Sequence, residues 1–295
     1  MSEIDKVFTD PTDGINILNQ INTQGLSYSL GIRKNPTRDD LLQIDGSRDK
    51  DPIYLTEEEN VAYWRIFSRR GKFAKTGKDN YTSRLHIIPK ESNGKPIIGL
   101  SRARSQGYLV SPRDFKNIEF TVIAKVNDIK DDNKAYSMKV RGGPHDGRKE
   151  STLCCEGIYP YKKMKHNLKL YSVEATHPHY RFESVNILSA YKSKLKFLGN
   201  NWIGLKQICY NLSNAKLRME MWIDYNPIDV VTGKPKNNWF KVWDIEDSNI
   251  DTPVWGGKYT TLRVDQCDSV DIYALNCYEI MPPTIAEQHK DILNM

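Results

Sequence analysis

The chain has few cysteines, few helix signals and none of the short motifs that mark common nucleotide-binding and hydrolase folds. Its 295 residues include five cysteines, of which Cys154 and Cys155 are adjacent. No C-x-x-C pair is present, so we predict no structural zinc site and mostly reduced, buried thiols, with a disulfide or two at most. The chain also lacks G-x-x-x-x-G-K, a Rossmann glycine fingerprint and G-x-S-x-G, which argues against nucleotide chemistry and serine hydrolysis.

Long apolar runs are also missing. No stretch approaches the ~18 apolar residues of a membrane helix, so we expect no membrane span. The first residues, MSEIDKVFTDPTDG, contain no basic segment followed by an apolar one, so we expect no signal peptide there. An extracellular or surface location would then require a processed form. The sequence fixes neither localisation nor oligomeric state.

The charge balance is mildly basic, with a net charge of +6 and a pI near 8.9. This balance favours an anionic partner, either nucleic acid or an acidic polysaccharide. Lysines alternate with aromatic residues in YPYKKMKH and YKSKLKF, which suits nucleic acid. No nucleic-acid-binding signature accompanies them, so nucleic acid is the less favoured partner.

Hydrophobic residues recur with a period of two, which predicts β-strands. Residues 118–126, 217–223, 138–140 and 270–280 each place apolar side chains on one face. The predicted inward sets are Ile118, Phe120, Val122, Ala124 and Val126; Leu217, Met219, Met221 and Ile223; Met138 and Val140; and Val270, Ile272, Ala274, Tyr278 and Ile280. Lys139 and Arg141 are predicted to lie on the face opposite Met138 and Val140.

These strands and the short polar turns between them predict an all-β fold, an antiparallel β-sandwich or jelly roll. Residues 55–67 begin with a capping-box pattern, but their β-branched and aromatic residues favour a strand. Residues 284–295 form a C-terminal tail with one short helix at most. Residues 1–50 are polar and are predicted to wrap the surface as a mostly irregular segment. We predict a single domain over residues 1–295.

The unusual segment lies between residues 139 and 181, where KVRGGPHDGR ends a strand at two glycines. We expect Gly142 or Gly143 to adopt a positive φ or to pack against another backbone. A functional interpretation places five candidate ligand contacts on one concave face, with His145 beside them. These contacts are Arg141, Glu156, Tyr159, Lys169 and Tyr171. The alternative is a sheet with ordinary polar residues on its solvent side.

Two further features were weighed for a ligand or a metal. Trp222 falls on the polar face of its strand, which makes it a candidate ligand platform, although edge packing explains it equally well. His177 and His179 flank a proline and lack further zinc ligands, so we predict no metal at this pair. In the acidic loop DIEDSNID, Asp244, Glu246 and Asp247 offer oxygen ligands for calcium. The loop lacks EF-hand spacing, so we predict no required cofactor and keep calcium as an alternative.

Several stretches together resemble a family of concanavalin-like jelly-roll proteins that is distantly similar to polysaccharide lyases of the alginate-lyase type. The resemblance covers about residues 100–283. It is carried by SRARSQGYLVSPRDFKNIEFTVIAKV, VRGGPHDG, CCEG, THPHY, NWIGLKQICYNL, LRMEMWIDYN, NNWFKVWDIEDS, WGGKYTTLRVD and YEIMPP. It implies a concanavalin-like sandwich and a carbohydrate ligand.

The lyase signatures themselves are missing. The strands R-x-E-x-R, Q-[IV]-H and Y-F-K-x-G-x-Y are absent, and only Arg141 stands in for a residue of the first. By the resemblance, a lyase would use His145 with Tyr159 or Tyr171 for the proton next to a sugar carboxylate, and Arg141 to neutralise that carboxylate.

Three functions follow from these observations. The favoured one is a carbohydrate-binding protein that recognises an acidic polysaccharide on its concave face. The second is a polysaccharide lyase-like or hydrolase-like enzyme that uses a His/Tyr/Arg cluster, with His145, Tyr159 and Arg141 as catalytic residues. The third is a structural or assembly protein of a virion or cell surface.

Overall fold

The computed structural model describes residues 8–9, 14–25, 27–31, 53–58, 61–67, 84–92, 95–101, 109–129, 135–142, 154–160, 172–177, 182–183, 198–212, 216–247, 257–265, 267 and 269–283. Within these residues there are strands, bridges and turns but no helix. The predicted helix in residues 284–295 lies outside them.

The described strands are β1 (Phe8–Thr9), β2 (Asn16–Ile17), β3 (Ser27–Gly31), β4 (Ile53–Glu58), β5 (Val61–Phe67), β6 (Arg84–Ser92), β7 (Lys95–Ser101), β8 (Leu109–Phe115), β9 (Ile118–Asn127), β10 (Ala135–Gly142), β11 (Cys154–Pro160), β12 (Ser172–His177), β13 (Phe182–Glu183), β14 (Ile203–Asn211), β15 (Leu217–Asp224), β16 (Ile228–Asp229), β17 (Lys234–Pro235), β18 (Phe240–Asp247), β19 (Gly257–Asp265) and β20 (Ser269–Glu279).

Two large antiparallel sheets contain most of these strands. Sheet A has the order β13-β12-β11-β10-β19-β6-β7, and β8 also pairs with β19. Sheet B has the order β18-β15-β14-β9-β20-β5-β4, and β3 also pairs with β20. The chain crosses repeatedly between the sheets, so neighbouring strands are often distant in sequence.

The main hydrophobic core lies between the two sheets, which makes the fold a sandwich. The predicted inward faces of β9, β15 and β10 are confirmed, because their apolar residues belong to this core. It also contains Cys155 and Tyr159 from β11, and Leu262 and Val264 from β19. Residues 55–67 form the antiparallel pair β4 and β5, so the strand interpretation of that stretch was correct.

One predicted face is wrong. Val270 and Ile272 face the core, whereas Ala274, Tyr278 and Ile280 pack in smaller clusters outside it. The pairing of β20 with β9 shifts between Ile272 and Ala274. An extra residue at this bulge reverses the side on which every later residue lies.

The outer face of sheet B is covered by the chain itself. Ile15 and Ile17, both buried, come from the N-terminal segment and pack against this face. Within residues 1–50, β3 also pairs with β20, so part of that segment belongs to the sheet. Several polar residues on this face, namely Glu119, Thr121, Lys206 and Asn276, are therefore buried.

Candidate functional site

Glu156 on β11 is the predicted site residue that lies in a polar cluster on the outer face of sheet A. Its neighbours Cys155 and Gly157 point towards the core, so the alternation of a strand turns Glu156 outward. Lys139 lies directly opposite Glu156 on β10, and Ser137 is two residues before Lys139. Arg263 follows on β19, the next strand of the sheet, where it pairs with Ser137.

The four side chains make direct polar contacts. Ser137 donates its hydroxyl hydrogen bond to Glu156. Lys139 Nζ lies 3.5 Å from Glu156 Oε2, and Arg263 Nη1 lies 3.4 Å from Glu156 Oε1. Two cations thus flank one carboxylate. We call Ser137, Lys139, Glu156 and Arg263 the Glu156 cluster.

Burial differs within the Glu156 cluster. Glu156 is 1% exposed and Lys139 is 3% exposed, whereas the Arg263 side chain is 13% exposed. Buried charges of this kind are retained only when they are paired. Arg263 is therefore the member best placed to meet a ligand, and Lys139 and Glu156 hold it in position.

Tyr159 does not lie with Glu156, although the sequence interpretation placed both on one face. They are three positions apart on one strand, so they point to opposite sides. Tyr159 is fully buried in the core and donates a hydrogen bond of 2.5 Å to the carbonyl oxygen of Lys206. Burial raises the pKa of Tyr159 well above its ordinary value. In this position the hydroxyl links the two sheets.

Arg141 does not lie on the outer face of sheet A either, for a different reason. Its φ is +55°, and the pairing of β10 with β19 shifts between Lys139 and Gly142. This bulge turns Arg141 to the core side, where Nη1 donates a hydrogen bond of 2.7 Å to Asn211 Oδ1 of sheet B. Gly142 keeps a negative φ and lies against the backbone of Gly257, so the expected close backbone approach is present there.

Of the remaining predicted site residues, Trp222 is the one within the described part of the chain. His145, Lys169 and Tyr171 lie outside the described residues, as does Gly143. Trp222 is on β15 of sheet B, on the side away from the core and thus on the opposite outer face of the sandwich. One groove cannot contain both Trp222 and Glu156.

Trp222 belongs to an ionic cluster at the β14-β15-β18 end of sheet B. Its Nε1 donates a hydrogen bond of 2.8 Å to Glu220, and Lys241 Nζ lies 5.2 Å from its ring centroid. Arg218 donates two hydrogen bonds to Asp244, of 2.8 and 2.7 Å. Lys241 lies 2.8 Å from Asp244 and 3.3 Å from Glu220.

This ionic cluster bears on the calcium alternative. Asp244, Glu246 and Asp247 lie in strand β18, so the predicted acidic loop is wrong at these residues. Both carboxylate oxygens of Asp244 accept hydrogen bonds from cationic side chains, an environment that opposes binding of a metal cation. In the part of the chain that the structure describes, no group of three or more His, Cys, Asp or Glu side chains is placed to hold a metal.

The Asp244→Asn variant is expected to be less stable at neutral pH and to lose less stability in acid. Burial raises the pKa of Asp244, but the Arg218 hydrogen bond and the Lys241 charge outweigh it and hold the pKa below the ordinary 3.8. A lowered folded-state pKa stabilises the fold above the unfolded-state pKa, and this contribution disappears as pH falls through the folded-state pKa. Urea unfolding between about pH 5 and about pH 1 measures the difference.

Two comparisons make this pH experiment decisive. Burial raises the pKa of Glu220, which acts with the opposite sign, so the two proteins are compared at each pH rather than against a fixed slope. Glu246→Gln, an exposed position on the same strand, is the control and should follow the wild-type profile. An Asp244→Asn profile parallel to the wild type would show that Asp244 does not contribute.

The sequence interpretation missed Lys139, Arg263 and Ser137 as partners of Glu156. A signal was present for Lys139, because its strand alternates and places it opposite the apolar Met138 and Val140. Arg263 lies more than a hundred residues further along the chain, and only the order β11-β10-β19 brings it close. No spacing within the sequence indicates that neighbourhood.

Comparison with known proteins gives structural similarities only. No protein-family model and no curated protein matches the chain. It is similar to the Ca²⁺-bound exoplasmic/lumenal domain of VIP36, at 15% identity over 60% of this chain and 74% of that one, with a TM-score of 0.36. It is also similar to peanut lectin with a 9mer peptide, at 7% identity over 88% and 100%, with a TM-score of 0.38. A third similarity is to the PL-14 alginate lyase from Aplysia kurodai, at 7% identity over 74% and 83%, with a TM-score of 0.29.

The class of protein is therefore defined by its fold. The described residues form an antiparallel β-sandwich of two large sheets, which confirms the predicted all-β sandwich. Peanut lectin and an alginate lyase are among the similar structures, but no sequence family is shown. Similarities this distant carry no argument about activity. No helix in the described residues is long and apolar enough to cross a membrane.

Proposed function

We propose that this protein binds an acidic polysaccharide through the outer face of sheet A, with Arg263 as a direct contact. The observation that carries the proposal is the Glu156 cluster, in which two cations share one carboxylate on the side of the sheet away from the core. A chain with net charge +6 also favours an anionic ligand.

The contacts of Arg263 fit recognition of a carboxylate or sulfate. A guanidinium presents several N–H donors in a planar fork, and one of its nitrogens already faces Glu156. Glu156 fixes the orientation of the guanidinium, while Lys139 compensates the Glu156 charge. We propose His145, Lys169 and Tyr171 as further contacts with the same glycan.

Binding without cleavage is the better supported function. A lyase needs a base that reaches the proton next to the sugar carboxylate. Tyr159 is fully buried between the sheets with its hydroxyl donated to a backbone carbonyl, and Arg141 bonds to Asn211 on the core side. Two members of the predicted His/Tyr/Arg cluster, Tyr159 and Arg141, therefore stabilise the contact between the two sheets.

The proposal predicts that Arg263→Ala weakens binding to alginate or pectate. Losing one charge-assisted contact should raise Kd roughly tenfold or more at low salt. Wild-type affinity should also fall as salt is added, because exposed charge pairs are screened. Isothermal titration with alginate, pectate and a neutral glucan measures both effects, and Lys234→Ala removes an equal charge from the exposed β16–β17 hairpin as the control.

Three results would separate the functions. No binding to any acidic glycan at low salt removes the proposal and favours the assembly protein. Equal loss of affinity in Arg263→Ala and Lys234→Ala shows a general charge effect and removes the assignment to the Glu156 cluster. Unsaturated products, detected by their ultraviolet absorbance, would favour the polysaccharide lyase function instead.

A further inference from the structure

The inner faces of the two sheets bring two cysteines together across the sandwich. Cys155 lies on β11 of sheet A and Cys209 lies on β14 of sheet B, and both belong to the main core with no exposed surface. The thiol of Cys155 is hydrogen-bonded to that of Cys209. Both are free thiols in this structure, as are Cys267 and Cys277.

Gln207 fixes the alignment of β11 and β14 at this point. It precedes Cys209 by two residues and so lies on the same face of β14. Its Nε2 donates to the carbonyl oxygen of Cys155 at 3.3 Å, and its Oε1 accepts from the N–H of Gly157 at 3.2 Å. One side chain thus bonds to the backbone of β11 on both sides of Glu156. The missing side chain of Gly157 lets Gln207 approach this closely, since an added Cβ would lie 3.1 Å from Oε1.

We infer that Cys155 and Cys209 are the site of an inter-sheet disulfide that forms when the chain folds in the presence of a small-molecule disulfide. Closure brings the two sulfur atoms from hydrogen-bond contact to a bond length of about 2.05 Å. The bond would join the middle strands of the two sheets and close a chain loop between residues 155 and 209. A cross-link of this kind restricts the unfolded chain and so stabilises the sandwich.

The exchange has two steps. The thiolate of one of the two cysteines attacks one sulfur of the small disulfide, forms a mixed disulfide and expels one thiolate. The deprotonated second cysteine then attacks the protein sulfur of the mixed disulfide and expels the second thiolate. Two protein thiols lose two electrons and two protons, and the small disulfide is reduced to two thiols. Because both cysteines are fully buried, the oxidant meets them before the sandwich closes.

In the closed sandwich, the surroundings of Cys209 favour its thiolate form. Burial acts to raise its pKa, but the hydrogen bond with Cys155 and the nearby Arg141 charge outweigh burial and lower it. Cys277 is the matched contrast in the same core, because burial raises the pKa of its thiol despite a hydrogen bond with Thr260. The guanidinium of Arg141 is held near Cys209 by its hydrogen bond to Asn211, two residues further along β14.

The test is oxidative refolding followed by denaturing alkylation and peptide mapping. The Cys154→Ser background removes the thiol next to Cys155, so that the linked peptide identifies one cysteine of that pair. After refolding with oxidised and reduced glutathione, we expect two thiols to resist alkylation and one cross-linked peptide to contain residues 155 and 209. The oxidised protein should also have a higher Tm, and a reductant should abolish the increase.

Single cysteine variants test the inference further. Cys155→Ser and Cys209→Ser should each remove the cross-linked peptide, whereas Cys277→Ser should retain it. Full alkylation of the refolded protein, a mixed glutathione adduct without closure, or a cross-link between other cysteines would each overturn the inference. Mapping of the Cys154→Ser protein decides the matter even if a variant fails to fold.

Discussion

Replacing Glu119 with glutamine should destabilise the sandwich by about 3–5 kcal/mol, the usual cost of removing one partner of a buried ion pair. Glu119 lies on the outer face of β9 and is fully buried there. Its carboxylate accepts hydrogen bonds from the N–H groups of Leu18 and Asn19, at 3.0 to 3.2 Å, and from the Asn19 side chain. Lys206 Nζ lies 3.0 Å from it and 2.7 Å from Thr121 Oγ1.

The physical reason is that glutamine cannot replace both functions of this carboxylate. Its amide has no charge to balance the buried ammonium of Lys206, and its NH₂ group would face N–H donors from the N-terminal segment. The result would be a buried cation without its carboxylate and a weaker attachment of residues 14–25 to sheet B. Guanidinium unfolding, followed by tryptophan fluorescence, measures the loss in free energy.

The control for this variant is Glu246→Gln, which makes the same chemical change at an exposed position. It should stay within about 0.5 kcal/mol of the wild type, as surface substitutions do. A loss below about 1 kcal/mol for Glu119→Gln would mean that water reaches Lys206 and that the pair does not hold the segment in place.

The Glu119–Lys206 pair is one of three similar arrangements on the outer face of sheet B. In each, a lysine is paired with a carboxylate, and its Nζ lies 4.5 to 5.2 Å from the centroid of a tryptophan ring. The pairs are Lys125 with Asp271 and Trp202, Lys206 with Glu119 and Trp239, and Lys241 with Glu220, Asp244 and Trp222. This repetition gives Trp222 a structural explanation, since its ring already contacts a lysine of its own chain.

The sequence predicted the fold class because alternation is a local property. β9 and β15 have an unbroken period of two, and their core faces were predicted residue by residue. Prediction failed at Arg141 and along β20, where bulges break the alternation. A bulge depends on the partner strand, so the pattern of one strand does not show it.

The candidate site was predictable only in part. Glu156 and Lys139 follow from alternation, and strict alternation would also have placed Tyr159 on the opposite side from Glu156. Arg263 could not be predicted, because sequence does not give the order of strands in sheet A. The burial of Glu119 could not be predicted from the sequence either, since it depends on contacts with a distant, polar N-terminal segment.

Gly142 lies close to Gly257 on the neighbouring strand, and Gly257→Ala tests how tight this backbone approach is. An added Cβ at Gly257 would lie 2.5 Å from the carbonyl oxygen of Arg141 and 2.8 Å from the nitrogen of Gly142. Both atoms are backbone in a paired strand, so neither can move without disturbing β10. Overpacking of this kind costs about 1–3 kcal/mol, and we expect the upper end, about 3 kcal/mol.

Gly157→Ala is the control, because its Cβ would meet the end of the Gln207 side chain, which can shift. Thermal unfolding of both variants should show the larger fall in Tm for Gly257→Ala. Equal melting temperatures would mean that β19 and β10 adjust to the added Cβ at no cost, and that the close approach of their backbones does not require glycine at position 257.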